Sequence, residues 1–166
     1  NIMNNIRKLF NENLILENKK ILITAGPTRE PIDPVRFITN HSSGKMGYAL
    51  AKASKEYGSK VTLISGPVSI PIVPGVKIID ITTAEEMNNK IQDELTNNTF
   101  DYIFMAAAVA DYKPIEFSDK KIKSNDKTQD LKLEKSVDIM ADTISKHKGI
   151  KIAFALETEN GQENAI

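Results

Sequence analysis

KILITAGPTREPIDPVRFITNHSSGKMG, residues 20–47, decides the fold class and contains the first candidate site. An apolar run is followed by a polar loop and then by an amphipathic run over Tyr48–Tyr57, which is the order strand, loop, helix. Loops between a strand and a helix usually have about 2–6 residues, whereas this one has roughly twenty. A loop of that length is either functional or disordered, and its dense prolines favour an ordered shape.

The composition limits the classes of function. The chain has 166 residues, 40% of them hydrophobic and 27% charged, as expected of one globular domain with a core. A formal net charge of zero gives no support to nucleic-acid or anionic-membrane binding. The lack of cysteine excludes disulfides and thiolate metal sites, and the two histidines are too few for a His-rich metal site. Without a membrane-span or signal-peptide pattern, we expect a cytoplasmic protein.

Hydrophobic periodicity predicts strands that alternate with helices, and therefore an α/β fold with βαβ units and a parallel sheet. The predicted strands are Lys20–Ala25, Lys60–Ser65, Val76–Ile81, Asp101–Ala108 and Ile150–Leu156. The predicted helices are Met46–Tyr57, a helix from the N-cap Thr83 to Asn97, and Val137–His147 with Ser136 as its N-cap. A small antiparallel excursion is predicted from Lys121–Lys123 and Leu131–Glu134.

The two ends of the chain depart from this pattern. Residues 1–18 are predicted to be a short amphipathic helix with a linker, either the tail of a preceding domain or an artificial end of the chain. Residues 19–166 are predicted to form the α/β domain. Glu157–Ile166 looks like the start of a helix without a partner strand after it, so we expect this domain to be C-terminally incomplete.

The end of the long loop has the chemistry of an anion site. Ser42, Ser43 and Gly44 offer hydroxyls and unobstructed backbone N–H groups at a helix N-terminus, and Lys45 adds an ammonium group. The pattern is neither a Walker A loop nor a GxGxxG fingerprint, so NAD is not indicated. The alternative is a capped helix with a glycine for close packing.

Three further side chains of the loop are candidates. Arg29 and Arg36 suit contacts to phosphate or carboxylate, although a surface arginine, or one paired with Glu30 or Asp33, is an equal alternative. The amide of Asn40 can donate to a carbonyl or to a developing oxyanion, or Asn40 is simply a turn residue.

A second candidate segment, MAAAVADYKP over Met105–Pro114, follows the predicted central strand. Ligands of open α/β sheets bind at that edge, and three alanines permit the close approach of a planar group. The carboxylate of Asp111 could meet an amine, a hydroxyl or a hydrated metal, unless it only starts a turn. Lysines at 120, 121 and 123 could neutralise a phosphoryl group, although a solvated charge run is the default interpretation.

Four segments together resemble the phosphopantothenate–cysteine ligase family, the synthetase half of a bacterial bifunctional coenzyme A biosynthesis protein. They are GPTREPIDPVRFITNHSSGKMGYALA from Gly26, AAAVADYKP from Ala106, KIK from Lys121 and FALET from Phe154. The resemblance implies a Rossmann-like three-layer fold with a mostly parallel central sheet and a small β flap. It also implies a homodimer, a fused decarboxylase domain, and Mg²⁺ with CTP as substrate. Because FMN serves the decarboxylase half, none is expected here.

The implied reaction joins 4′-phosphopantothenate to L-cysteine through an acyl-cytidylate. By resemblance, Lys121 is the flap lysine needed to form that intermediate, and Asn40 binds it and supports its conversion to product. Met105, Ala106, Ala107 and Asp111 match the nucleotide-contacting segment, and Phe154 matches a phenylalanine near the base. Ser42, Ser43 and Gly44 are assigned to phosphate binding from their own chemistry and not from the resemblance. The metal ligands stay unassigned.

The chain also departs from the family pattern. Asp138 and Ile139 keep their places in the nucleotide site, but Ser136 and Val137 stand where the family often has Asn-Pro. The family's downstream lysines would fall after Ile166. The alternative function is therefore a non-catalytic nucleotide-binding or dimerisation module of the same fold. Nothing in the residues themselves distinguishes CTP from ATP.

Overall fold

The structure is a computed structural model that describes residues 14–123 and 128–155. Most of the predicted N-terminal helix and all of Glu157–Ile166 lie outside the described residues. Residues 15–18 form a turn, and the Leu16 N–H donates to the Tyr57 carbonyl at 3.0 Å. No helix among the described residues is long and apolar enough to span a bilayer.

A five-stranded parallel sheet forms the centre of the fold. Its strands are β1 (Lys20–Ala25), β4 (Lys60–Ser65), β5 (Lys77–Asp80), β6 (Tyr102–Met105) and β9 (Ile150–Ala153). They lie in the order β5-β4-β1-β6-β9. The helices are α1 (Lys45–Glu56), α2 (Ala84–Asn97) and α3 (Ile139–Lys146). The predicted α/β, Rossmann-like fold with a parallel sheet is confirmed.

Strand β1 shows why the sheet lies between two helical layers. Its side chains alternate between two apolar clusters: Leu22 packs with Met87 and Ile91 of α2, whereas Ile23 packs with the cluster that contains Tyr48 of α1. Because both faces are buried, the strand is an unbroken apolar run, as expected for a parallel sheet. Helix α2 begins with a capping box in which Thr83 and Glu86 bond each other's backbone, as the Thr83 N-cap predicted.

The sheet has a topological switch point between β1 and β6. From β1 the chain proceeds outward through β4 and β5, then returns to place β6 and β9 on the other side of β1. The connections that follow β1 and β6 therefore lead to helices on opposite faces of the sheet, and open α/β sheets bind ligands at such a switch point. The long loop after Ala25 and the alanine-rich segment after Met105 both begin there.

Two antiparallel ribbons lie outside the sheet, and the sequence predicted only one of them, with different strands. The long loop contains a hairpin, β2 (Arg29–Pro31) with β3 (Phe37–Thr39), which the proline content concealed. The second ribbon pairs β7 (Tyr112–Pro114) with β8 (Leu133–Lys135). The prediction that Lys121–Lys123 forms a strand of this excursion is wrong, because those residues lie in the connection between β7 and β8.

The start of α3 also differs from the prediction. Asp138, rather than Ser136, is its N-cap, and the Asp138 carboxylate accepts a hydrogen bond from the Ala141 N–H at 3.0 Å. Either residue type suits an N-cap, so residue type alone could not decide. The Ser136 N–H instead donates to the Asp111 carbonyl at 2.8 Å, which fixes the chain in an extended path before the helix.

Candidate functional site

The two segments singled out by the sequence meet at Gly26. The Ala108 N–H donates to the Gly26 carbonyl at 2.9 Å, and Pro27 forms a parallel bridge with Ala108. The Thr28 N–H donates back to the Ala108 carbonyl at 3.2 Å. These contacts continue the β1–β6 pairing beyond the ends of the strands, so the long loop and the alanine segment leave the sheet side by side.

Two buried threonines hold the alanine segment in place. The Oγ1 of Thr24 accepts hydrogen bonds from the N–H groups of Ala106 and Ala107 at 3.1 and 3.2 Å. The Oγ1 of Thr28 accepts one from the Ala110 N–H at 3.0 Å. Side-chain oxygens thus replace strand partners where the ladder ends, and the segment follows a fixed path without regular secondary structure.

Asn40 connects the end of the hairpin to the same segment. Its Nδ2 donates to the Val109 carbonyl at 2.8 Å, and the neighbouring Thr39 Oγ1 donates to the Thr28 carbonyl at 2.6 Å. Asn40 is exposed, and its amide lies at the edge of the crevice. A pure turn residue would not need a contact across 69 positions of sequence.

A cavity of about 380 Å³ opens at the switch point, beside the alanine segment and the start of α3. Its volume falls in the range of small-molecule pockets, about 300–1,000 Å³. The sequence-predicted residues that line it are Met105, Ala107, Asp111, Asp138, Ile139 and Phe154. The structure does not place Ala106, Asn40, Lys121 or Ser42–Gly44 in that lining.

The polar groups of the cavity come from both of its walls. Asp111 and Asp138 supply carboxylates, and Lys135 supplies an ammonium group. The Ser136 Oγ is buried and has no hydrogen-bond partner among the described residues. A buried hydroxyl costs free energy unless it is paired, so Ser136 is a donor and acceptor available to a ligand.

The serine–glycine end of the long loop packs against Gly26. Gly44 adopts φ +74°, and a Cβ there would lie 2.7 Å from Val68 Cγ1 and 3.3 Å from the Gly26 Cα. The hydroxyl oxygens of Ser42 and Ser43 accept weak hydrogen bonds of 3.3 and 3.5 Å from the N–H groups of Gly44 and Lys45. This close packing supports the alternative role of Gly44 without removing the anion chemistry of the helix start.

The connection that contains Lys121 is attached to the hairpin by its neighbour Ile122. The Asp33 carboxylate accepts hydrogen bonds from the N–H groups of Val35 and Arg36 at 2.8 Å and of Ile122 at 3.1 Å. The Arg36 Nη2 donates to the Ile122 carbonyl at 2.8 Å. Burial raises the pKa of Asp33, but these hydrogen bonds and the Arg36 guanidinium outweigh it and hold that pKa below its usual value.

The two arginines of the loop therefore have different surroundings. Arg36 lies 3.8 Å from the Asp33 carboxylate, which is the pairing weighed as an alternative. Arg29 stacks over the Phe37 ring at 4.7 Å from its centroid. Glu30 is buried, and its carboxylate accepts a hydrogen bond from the Ala84 N–H at 2.9 Å, at the N-terminus of α2.

Four lining residues lie outside every segment that the sequence singled out for the site: Thr24, Lys135, Met140 and Ala153. Thr24 is the one polar residue near the end of an otherwise apolar strand, and that position was a usable signal. Lys135 had no signal, because its place depends on the pairing of β8 with β7.

Carboxylates of the cavity are the candidate metal ligands. Among the described residues, 14–123 and 128–155, no group of three or more histidine, cysteine or acidic residues could hold a metal ion. Mg²⁺ is commonly bound by one or two carboxylates together with substrate phosphates. Asp111 and Asp138, both in the cavity lining, fit that smaller donor set.

Comparisons with known proteins agree with this architecture. Residues 16–166 match the sequence model of the DNA/pantothenate metabolism flavoprotein C-terminal domain family. The chain is 47% identical over 151 residues to the coenzyme A biosynthesis bifunctional protein CoaBC of Vibrio cholerae, covering 88% of this chain and 37% of that protein. It is 45% identical over 156 residues to CoaBC of Escherichia coli strain K12, covering 90% of this chain and 38% of that protein.

A solved structure shows the same fold. The crystal structure of the C-terminal domain of a CoaBC protein superposes with a TM-score of 0.78 at 41% identity. The match covers 92% of this chain and 71% of that one. The chain thus spans little more than a third of the length of the curated relatives it matches, and it corresponds to their C-terminal region.

Proposed function

Because the chain belongs to the DNA/pantothenate metabolism flavoprotein C-terminal domain family, we propose that it is a phosphopantothenate–cysteine ligase domain of coenzyme A biosynthesis. The observation that carries the proposal is the meeting of three motifs at one switch point. The alanine segment and Phe154 line one cavity, and the Asn40 amide bonds the backbone of that segment. The bifunctional coenzyme A biosynthesis relatives support this choice among nucleotide-binding α/β enzymes.

The proposed reaction has two steps. A carboxylate oxygen of 4′-phosphopantothenate attacks the α-phosphorus of CTP, which forms the acyl-cytidylate and expels pyrophosphate. The cysteine amine then attacks the acyl carbon, so that an amide bond forms and CMP and a proton leave. A carboxylate is a poor electrophile, and the cytidylate provides the leaving group it lacks. The protein supplies orientation, charge neutralisation and exclusion of water.

The cavity is the proposed site of the nucleotide. Ala107 keeps the wall free of bulk. Thr24 fixes the backbone of Ala107 and of its neighbour Ala106, so a planar base can approach closely. Phe154 is 45% exposed at the mouth of the cavity, and its ring offers a stacking surface. Asp111, Asp138 and Ile139 would contact the ribose and phosphates.

The catalytic assignments rest on resemblance and on position. Lys121 would neutralise charge on the transferring phosphoryl group, and attachment of Ile122 to Asp33 and Arg36 keeps Lys121 near the hairpin. Asn40 would donate to the acyl intermediate in the second step. The phosphates would meet the α1 start, where Ser42, Ser43 and Gly44 lie.

Mg²⁺ would enter with the triphosphate of CTP and neutralise its charge when bound. Asp111 and Asp138 are the residues proposed to share its coordination with the phosphates, since both line the cavity. FMN is not assigned to this domain. In the proposed arrangement of the longer protein, residues 1–18 are a linker that joins this domain to a preceding decarboxylase domain.

The proposed assembly is a homodimer formed through the two ribbons. Large apolar side chains that are half exposed in the single chain lie on the ribbons, at Phe37, Tyr112 and Leu133, and in the connection after β7, at Ile115 and Phe117. Exposed apolar groups concentrated in one region indicate an interaction surface. Sedimentation velocity should show a dimer that Phe117→Asp weakens and the control Ile150→Asp does not; a monomeric wild type would refute this assembly.

Pyrophosphate release tests the function. Release should require CTP, Mg²⁺ and 4′-phosphopantothenate together, and ATP should not replace CTP. A protein that binds CTP in calorimetry but releases no pyrophosphate with all reactants present would instead be a non-catalytic nucleotide-binding module.

A further inference from the structure

A second cavity, of about 480 Å³, lies between α1 and residues 66–75, the loop that joins β4 to β5. We call it the α1 cavity. Its lining comes from α1 residues 45–56 on one side and from residues 70–74 on the other, and it shares no lining residue with the switch-point cavity. No step of the proposed ligation uses it.

One wall of the α1 cavity is apolar. Residues 70–74 have the sequence IPIVP, in which two prolines limit the conformations of the backbone. Ile72 is 76% exposed, the largest exposure among the big apolar side chains of the described residues. Binding of a ligand that covers an outward isoleucine beside a concave apolar surface is favourable, because it removes apolar surface from water.

The opposite wall is cationic. Lys45, Lys52 and Lys55 line the cavity from α1, and Glu56 is the only acidic residue in the lining. Glu56 lies 4.0 Å from the Lys52 ammonium group, an exposed pair of small energetic value. Within the described residues, the ammonium groups of Lys45 and Lys55 form no ion pair. The lining therefore has an excess of positive charge next to an apolar wall.

We infer that the α1 cavity binds an anionic amphiphile, a small molecule with a phosphate-monoester or carboxylate head and an alkyl chain. The head would lie among the lysines, and the chain would cover Ile72. Charge argues against residues 1–13 as the occupant, although Leu14 packs against Gly58 just after α1. That segment contains Arg7, Lys8 and Glu12, so it carries an excess of positive charge like the lining itself.

The loop that forms the apolar wall also contacts the proposed phosphate site. Val68 Cγ1 would lie 2.9 Å from a Cβ at Gly26 and 2.7 Å from one at Gly44, so this methyl group packs directly on both glycines. A ligand that shifts residues 70–74 would therefore move a neighbour of the α1 N-terminus. This contact gives the α1 cavity a physical route to the site of ligation.

Calorimetry with octyl phosphate, below its micellar concentration and on the 166-residue chain, tests the inference. We expect saturable binding of one molecule, weakened at least tenfold by Ile72→Asp and by the double variant Lys52→Glu/Lys55→Glu. Lys90→Glu, an exposed lysine of α2 outside the cavity, is the matched control and should bind as the wild type does. Tighter binding of octanoate would assign the site to carboxylates, weaker octanoate binding would assign it to phosphate monoesters, and equal affinity would assign it to an anionic head of either kind.

Three results would overturn the inference. They are absence of octyl phosphate binding, equal binding of octanol, and equal affinity in Ile72→Asp and the wild type. A fourth concerns the rival occupant: if Ile6→Asp/Phe10→Asp raised the affinity tenfold, residues 1–13 would occupy the cavity. Amide shifts confined to 45–56 and 70–74 on titration would locate the ligand independently of any activity.

Discussion

The backbone N–H of Ile122 donates to the Asp33 carboxylate at 3.1 Å, although 89 positions separate the two residues. Arg36 completes the attachment by donating to the Ile122 carbonyl. Both groups belong to the long loop after β1, so that loop does more than border the proposed phosphate site. It also determines where the segment containing Lys121 lies.

Asp33→Asn should loosen this attachment in a pH-dependent way. The folded-state pKa of Asp33 lies below its ordinary value of 3.8, since backbone hydrogen bonds outweigh burial. Its stabilisation is therefore complete above that ordinary value and is lost as pH falls through the lower folded-state pKa. Urea unfolding should show wild type more stable than Asp33→Asn at pH 7, with the difference shrinking below about pH 4.

A matched control for that experiment is Asp119→Asn, which removes an exposed carboxylate from the same connection. It should unfold as the wild type does at each pH. A difference between wild type and Asp33→Asn that stayed constant down to pH 2 would show that the charge of Asp33 has no role in the attachment.

Thr24→Val should destabilise the alanine segment and weaken nucleotide binding together. The substitution keeps the shape of the side chain but removes the acceptor of the Ala106 and Ala107 N–H groups. Two donors left without that acceptor cost about 1–3 kcal/mol in the free energy of unfolding. CTP affinity, measured by calorimetry, should fall more than tenfold, whereas Thr24→Ser should retain both properties. Unchanged CTP affinity in Thr24→Val would remove Thr24 from the site.

Gly44→Ala should destabilise the start of α1 for two separable reasons. A residue with a Cβ at φ +74° costs about 1–2 kcal/mol, and the new Cβ would clash with Val68. Adding Val68→Ala to Gly44→Ala should relieve the clash and restore the stability lost to it. The cost of the positive φ at residue 44 should remain. A double-mutant cycle of unfolding free energies measures the coupling, and strictly additive values would contradict the close packing of these two residues.

Local signals in the sequence were sufficient to predict the sheet. Strands β1 and β4 have the predicted boundaries, because apolar runs buried on both faces are unambiguous. Met105, Asp111 and Phe154, which the family motifs assign to the nucleotide, line one cavity, and their contact with a nucleotide stays a prediction.

What the sequence missed depends on tertiary contacts. The β2–β3 hairpin is supported by Asp33, whose partners lie both within the turn and at Ile122. Asp138 and not Ser136 caps α3, because the Ser136 N–H donates to the Asp111 carbonyl and keeps Ser136 in the extended segment before the helix. Each of these outcomes was decided by a partner distant in sequence, which no local pattern could reveal.

Lys121→Gln should abolish most of the activity without affecting the fold. Lys121 is exposed and makes no contact on which stability depends among the described residues, so its removal affects only the charge presented to the phosphates. We expect the rate of pyrophosphate release to fall at least a hundredfold, equivalent to about 2.7 kcal/mol of transition-state stabilisation. Lys123→Gln, with the same charge change two residues away, is the control. Equal losses in both variants would indicate a general electrostatic effect rather than a role for Lys121.

The central claim is that one crevice forms an acyl-cytidylate and then converts it with a different residue. The direct measurement is a quench experiment with α-labelled CTP and 4′-phosphopantothenate in the absence of cysteine. Wild type should accumulate acyl-cytidylate and an equal amount of pyrophosphate, Lys121→Gln should accumulate neither, and Asn40→Asp should form the intermediate but convert it slowly when cysteine is added. Formation of peptide product without any labelled acyl intermediate, or a block before the intermediate in Asn40→Asp, would contradict the account.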